Sequence, residues 1–173
     1  SRIEKVPGEV VHIDNAHWDR EMSTISHELC RHHPRPVPAP IFDNIPDYKP
    51  GFKTMYAMTN SMNRLAIALG MEPKYHHEMK FLQDYRRRTK EIEKVQAIDP
   101  EFVEASDAPV MENIDRGDDV DLFKFPVPKH HEYDGGRYIG TATSFITDNP
   151  GLGRLANLGA YRVQVHSKNT AGV

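Results

Sequence analysis

Two rhythms of apolar and polar residues divide the chain. In the first half, Glu9-Val10-Val11-His12-Ile13 is short, β-branched and bounded by Gly8 and Asp14-Asn15, which predicts a strand and a turn. From Trp18 to His32, Met22, Ile25 and Leu29 recur at three- and four-residue spacing, so a helix is expected there, stopped by Pro34. Ile41-Phe42 and Phe52 to Tyr56 read as two further strands. Asn60 or Ser61 can cap a helix carrying Leu65, Ile67, Ala68 and Leu69, with Gly70 placed to end it. From Tyr75 to Val95 a charged stretch without Pro or Gly predicts a long surface helix. This β-α-β-β-α order predicts an α/β unit.

The rhythm then changes. Between Asp99 and Asp121 stand nine acids and one base, Arg116, with no apolar stripe, which predicts a connecting loop and a domain boundary. Leu122 to Val127 is mostly apolar, and Gly135-Gly136 makes a turn. Arg137 to Thr147 is strand material rich in Thr, Ile and aromatics. Asp148-Asn149-Pro150-Gly151 is turn chemistry, and Leu158 to His166 is a second strand, so the chain is expected to finish in a β-hairpin. Two strands alone bury too little apolar surface. The hairpin must pack on the α/β unit or be completed by other residues.

Composition narrows the function. The chain has 173 residues with 22 Lys plus Arg against 25 Asp plus Glu, a formal net charge of −3. That is too near neutral for a binder of phosphate backbones, so nucleic acid is not an expected partner. No apolar run approaches the roughly 20 residues of a membrane-spanning helix, and Ser1 to Val10 lacks the apolar stretch of a secretory signal. The expectation is a cytoplasmic protein without a membrane partner. Its one cysteine, Cys30, can form neither an intrachain disulfide nor a thiolate zinc cage, and near the end of a helix it is expected to be an inert packed thiol.

Ten histidines invite a metal reading that spacing does not support. The pairs His32-His33, His76-His77 and His130-His131 are sequence neighbours, whose side chains diverge on a helix or strand. His27 and His32 are five apart, one too many for a helical zinc pair. Arg86-Arg87-Arg88 point to different sides of a helix among Asp84, Glu91 and Glu93, the pattern of a solvated face. Phosphate loop, nucleophile elbow and dinucleotide fingerprint are all missing from the sequence.

The final hairpin is unusually polar. Asn157 offers an amide oxygen suited to a hard cation, Gly159 lets a ligand approach the backbone, and Arg162 offers a fork for phosphate or carboxylate. Period two puts Asn157, Gly159 and Tyr161 on one face and Leu158, Ala160 and Arg162 on the other. A solvent-facing strand with an incidental arginine fits the same pattern.

Four segments in order resemble the N-terminal part of the UbiD family of reversible decarboxylases, which act on aromatic and α,β-unsaturated acids with prenylated FMN. These are Pro38 to Ile45, Asn63 to Gly70, Asp134-Gly135-Gly136-Arg137-Tyr138-Ile139, and Asn157-Leu158-Gly159-Ala160-Tyr161-Arg162. The resemblance implies an α/β (α+β) fold: an N-terminal α/β domain over residues 1–118 leading, over 119–173, into the first strands of a split β-barrel of the flavin-reductase type. It implies that Asn157 is a ligand to a divalent metal, Mn2+ first and with K+ as a further ion, that anchors the cofactor phosphate. Gly159, Ala160 and Tyr161 match backbone contacts along the flavin, and Thr141 a cofactor-contacting threonine. Arg162 matches the catalytic arginine that positions a substrate carboxylate, while the prenylated flavin is the electron sink.

The family's metal-binding histidine and glutamate, and its acid/base glutamates, have no counterpart in these residues. The expected partners are therefore a small carboxylic acid substrate and the remainder of the enzyme or a second subunit, in a homo- or hetero-oligomer. A non-catalytic accessory subunit and an FMN-binding reductase barrel are the alternatives.

Overall fold

A computed structural model describes residues 2–96, 103–147 and 157–173, with side chains described outside 141–147 and 157. The first sheet holds β1 (Val10–Asp14), β2 (Ala39–Asp43) and β3 (Thr54–Met55) in that order. β1 and β2 are parallel, joined through helix α1 (Glu21–His32), and β3 is antiparallel to β2. This is the α/β unit the pattern predicts. Its core gathers Ala16, Met22, Phe42 and Ile45, flanked by Ile13, Trp18, Ile25, Tyr48 and Tyr56.

Two expected boundaries move for identifiable reasons. Helix α1 starts at Glu21 rather than Trp18 because Arg20 is left-handed, φ 68°, and the residues before it pair elsewhere. Arg20 N–H donates to the Lys129 carbonyl at 2.9 Å and Lys129 N–H to that of Trp18 at 3.1 Å. Strand β3 is shorter than Phe52 to Tyr56, and it stops before Tyr56 because Pro40 lies opposite that residue. Pro40 accepts from Tyr56 N–H at 3.1 Å but has no N–H to return.

Helix α2 (Met62–Ala68) begins at Ser61, whose hydroxyl accepts from the N–H groups of Asn63 and Arg64, and Gly70 follows at φ 67°. Helix α3 (Glu78–Ile92) is shorter than the expected Tyr75 to Val95, since His77 Nδ1 caps it by accepting from Met79 N–H. Ala66, Met71, Tyr75 and Phe81 form a second core between these helices. Asp84 accepts from Lys80, Arg87 and the Tyr75 hydroxyl, which accounts for Arg87 as a helix-face ion pair. Beneath α2, Arg64 and Glu9 form a fully buried pair at 2.7 Å. The same guanidinium donates to the carbonyls of Glu9 and Val37, tying the entrance of β1, the approach to β2 and α2 together.

Residues 103–121 carry only short 3-10 turns, as the acidic composition predicts. A second sheet holds β4 (Arg137–Thr147), β5 (Asn157–Ser167) and β6 (Thr170–Gly172), all antiparallel. β6 is an addition to the expected hairpin. Arg137 fastens this sheet to the α/β unit: its guanidinium lies over Trp18 at 3.8 Å and Phe123 at 5.0 Å, and donates to the Val127 carbonyl and the Tyr48 hydroxyl. Among the described residues no helix is long and apolar enough to cross a membrane.

Candidate functional site

The ladder between β4 and β5 is interrupted at one place. Pairing runs from Arg137 opposite Val165 to Ile139 opposite Val163, and resumes with Thr143 opposite Tyr161. Gly140, Thr141 and Ala142 therefore face the single residue Arg162. Gly140 has φ 59°, a conformation that glycine adopts without Cβ strain. Bulges of this kind re-aim side chains and recur beside functional sites. The backbone thus brings together the segment holding Thr141 and the expected catalytic position, Arg162.

Arg162 is exposed, and its guanidinium carbon lies 4.7 Å from the centre of the Tyr138 ring. Tyr138 is 6% exposed, and its hydroxyl donates to Gln164 Oε1 at 3.3 Å. Tyr138 lies in a segment that carries the resemblance but without an expected role, and Gln164 does not stand out in the sequence. A glycine inside a Thr- and Ile-rich strand, Gly140, is the one sequence signal of the bulge.

On the other face of β5, the ring of Tyr161 folds over Gly159, where a Cβ would come within 2.1 Å of it. The approach that Gly159 opens is occupied by the chain's own aromatic ring. Leu158, 70% exposed on the face of Arg162, and Tyr161, 49% exposed on the opposite face, give each face of β5 some apolar surface. Ala160 is exposed between Leu158 and Arg162. The side chains of Thr141 and Asn157 lie outside the described residues; their backbone positions are in β4 and, paired with Thr147, at the start of β5.

Among the described residues no three His, Cys, Asp or Glu side chains converge to hold an ion. His12 and Lys53 meet Asp43 at 2.7 and 2.6 Å, and these hydrogen bonds, His12 first, hold its carboxyl below the usual range. His130 is half-buried at 3.3 Å from the Tyr56 hydroxyl, and burial lowers its pKa. Cys30 is exposed rather than packed, with the Asn60 amide donating to its sulfur at 3.4 Å. Two clefts, of about 770 and 530 Å3, sit by Arg35, Asn60 and Ser61 in the α/β unit.

Comparison with known proteins places this architecture. Residues 4–80 match the 3-octaprenyl-4-hydroxybenzoate carboxy-lyase N-terminal domain, and residues 101–173 the 3-octaprenyl-4-hydroxybenzoate carboxy-lyase Rift-related domain. A pyrrole-2-carboxylic acid decarboxylase of Pseudomonas aeruginosa is 34% identical over 123 residues, covering 67% of this chain and 23% of that protein. The vanillic acid decarboxylase of Sedimentibacter hydroxybenzoicus, in its closed form, superposes with a TM-score of 0.75 at 25% identity, covering 99% of this chain and 35% of that one. An evolved dimeric form of the UbiD-class enzyme HmfF from Pelotomaculum thermopropionicum, in complex with prFMN, shares the fold with a TM-score of 0.67 at 20% identity, over 93% of this chain and 34% of that one. The chain spans about a quarter of the length of the curated relatives it matches.

Proposed function

Because the chain belongs to the UbiD family, we propose that it supplies the N-terminal third of a reversible carboxy-lyase acting on an aromatic carboxylic acid with prenylated FMN. The observation that carries this reading is the bulge that sets the Thr141 segment opposite Arg162, on a strand whose exposed Leu158 adds apolar surface to the face of that arginine. The family name of both matched domains, and the decarboxylase names of the relatives, support the reaction class.

In this reading Arg162 binds the substrate carboxylate through two parallel charge-assisted hydrogen bonds and fixes its plane. Asn157 offers one oxygen to a divalent ion, Mn2+ first. A hard dication takes about six ligands, and no cluster among the described residues supplies the others, so they come from the remainder of the enzyme or a second subunit. When bound, prenylated FMN supplies the electron sink for loss of CO2. We place the boundary between the α/β domain and the cofactor-binding sheet at residues 118/119, and the enzyme in the cytoplasm as an oligomer.

The test uses the complete enzyme. Asn157→Ala is expected to lose metal and flavin together, and Arg162→Lys to keep flavin but leave a small fraction of turnover, because lysine keeps the charge and loses the fork. Full metal and flavin in Asn157→Ala, or near-normal CO2 release from Arg162→Lys at full flavin content, refutes the corresponding assignment.

A further inference from the structure

We infer that Tyr138 is a positioning residue for Arg162, with Gln164 and Gly136 fixing its ring. The inference rests on the assignment of Arg162 to the substrate carboxylate. An exposed strand arginine has four side-chain torsions and many orientations. At 4.7 Å from the Tyr138 ring centre, the guanidinium is within the roughly 6 Å reach of a cation–π contact. Such a contact uses the flat face of the guanidinium, whereas carboxylate recognition uses its N–H edge. Stacking can therefore orient Arg162 without consuming the donors that a substrate needs, which an acidic partner would do.

A platform must itself be held. Tyr138 is 6% exposed, and its N–H donates to the Pro128 carbonyl at 3.0 Å. Gln164 stands directly across the ladder from it and accepts from its hydroxyl. Gln164 in turn lies against Gly135-Gly136: a Cβ on Gly136 would come within 2.8 Å of the Gln164 amide nitrogen. The glycine pair clears the space for the glutamine, the glutamine anchors the tyrosine hydroxyl, and the tyrosine ring carries the guanidinium. One residue beyond Ile139, the bulge removes the regular partner from opposite Arg162, leaving its side chain to be set by this stack.

The experiment compares Tyr138→Leu, Tyr138→Phe, Gln164→Ala and Arg162→Ala in the complete enzyme, with Tyr138→Leu and Gln164→Ala also made in the Arg162→Ala background. Benzoate, an unreactive aromatic carboxylate, is the probe, its Kd read by calorimetry beside kcat, KM and flavin content. Tyr138→Leu is expected to weaken benzoate about fivefold at unchanged flavin content, to lower kcat/KM at least as much, and to add nothing once Arg162 is alanine. Tyr138→Phe, which keeps the ring, is expected within about twofold of the parent. Benzoate binding within about twofold of the parent in Tyr138→Leu, or the same loss in both backgrounds, overturns the platform while leaving Arg162 assigned. Unchanged benzoate binding in Arg162→Ala overturns that assignment, and the platform with it. If Tyr138→Leu does not fold, Gln164→Ala decides by the same criterion, with an expected loss of about threefold that vanishes without Arg162.

Discussion

The guanidinium carbon of Arg137 lies 3.8 Å from the centre of the Trp18 ring, joining the first residue of β4 to the segment that leads into α1. Phe123 and Tyr48 also border this cation, and the Val127 carbonyl accepts from its Nε at 2.6 Å. Arg137→Ala is expected to destabilise the protein by about 2 to 4 kcal/mol, combining a partly desolvated cation–π contact with a charged hydrogen bond. Trp18 is the chain's single tryptophan, so its fluorescence in a denaturant titration of the complete protein checks this directly.

Glu9→Gln leaves the Arg64 charge buried without its counter-ion and is expected to cost about 3 to 5 kcal/mol. Replacing both partners by Leu and Met should not restore stability, as it does for some isolated pairs, because the guanidinium also serves the Glu9 and Val37 carbonyls. Urea midpoints of the single and double variants measure the difference. A double variant as stable as the parent refutes the backbone role.

Gly140→Val places a β-branched residue at φ 59° and is expected to cost about 1 to 2 kcal/mol or more, and Gly140→Asn less. Relaxing the bulge also changes what stands opposite Arg162. We expect kcat/KM of the complete enzyme to fall in Gly140→Val at unchanged expression, and steady-state kinetics checks this.

The pKa of His130 is lowered below 6.5 in the folded state by burial, against the weaker pull of Asp134. The unfolded chain therefore takes up this proton at a higher pH than the folded one. The contribution to stability is intact above about pH 6.5 and lost as pH falls toward the folded value. Thermal unfolding of the complete protein between neutral and mildly acid pH should steepen accordingly, and His130→Gln should flatten that segment.

The order of strands and helices was legible because apolar spacing and breaker residues act locally: Met22, Ile25 and Leu29 announce α1, and Ser61 and Gly70 bracket α2. What sequence could not disclose depends on distant partners. The Trp18 to Arg20 segment leaves the helical pattern only because Lys129 pairs with it. Glu9, heading an apolar strand, gives no sign that Arg64 will neutralise it. Thr170-Ala171-Gly172 has no apolar alternation and becomes β6 only because β5 offers an edge. At the candidate site, the resemblance pointed to Arg162 and Thr141 as expectations, whereas the pairing of Tyr138 with Gln164 became visible only through the register that sets them opposite one another.

The position of Arg137 also sets an order of events during synthesis. The first sheet and the Glu9 to Arg64 tie need nothing beyond residue 64, so they can close while later residues are still being added. Trp18 cannot be covered until Arg137 has emerged. At about 5 to 20 residues per second that leaves the indole without its cation for on the order of ten seconds on each nascent chain. The first sheet can therefore form with its aromatic patch at Trp18 and Tyr48 still uncovered by Arg137, and docking of the second sheet is the late step that removes that patch from the reach of chaperones and neighbouring chains.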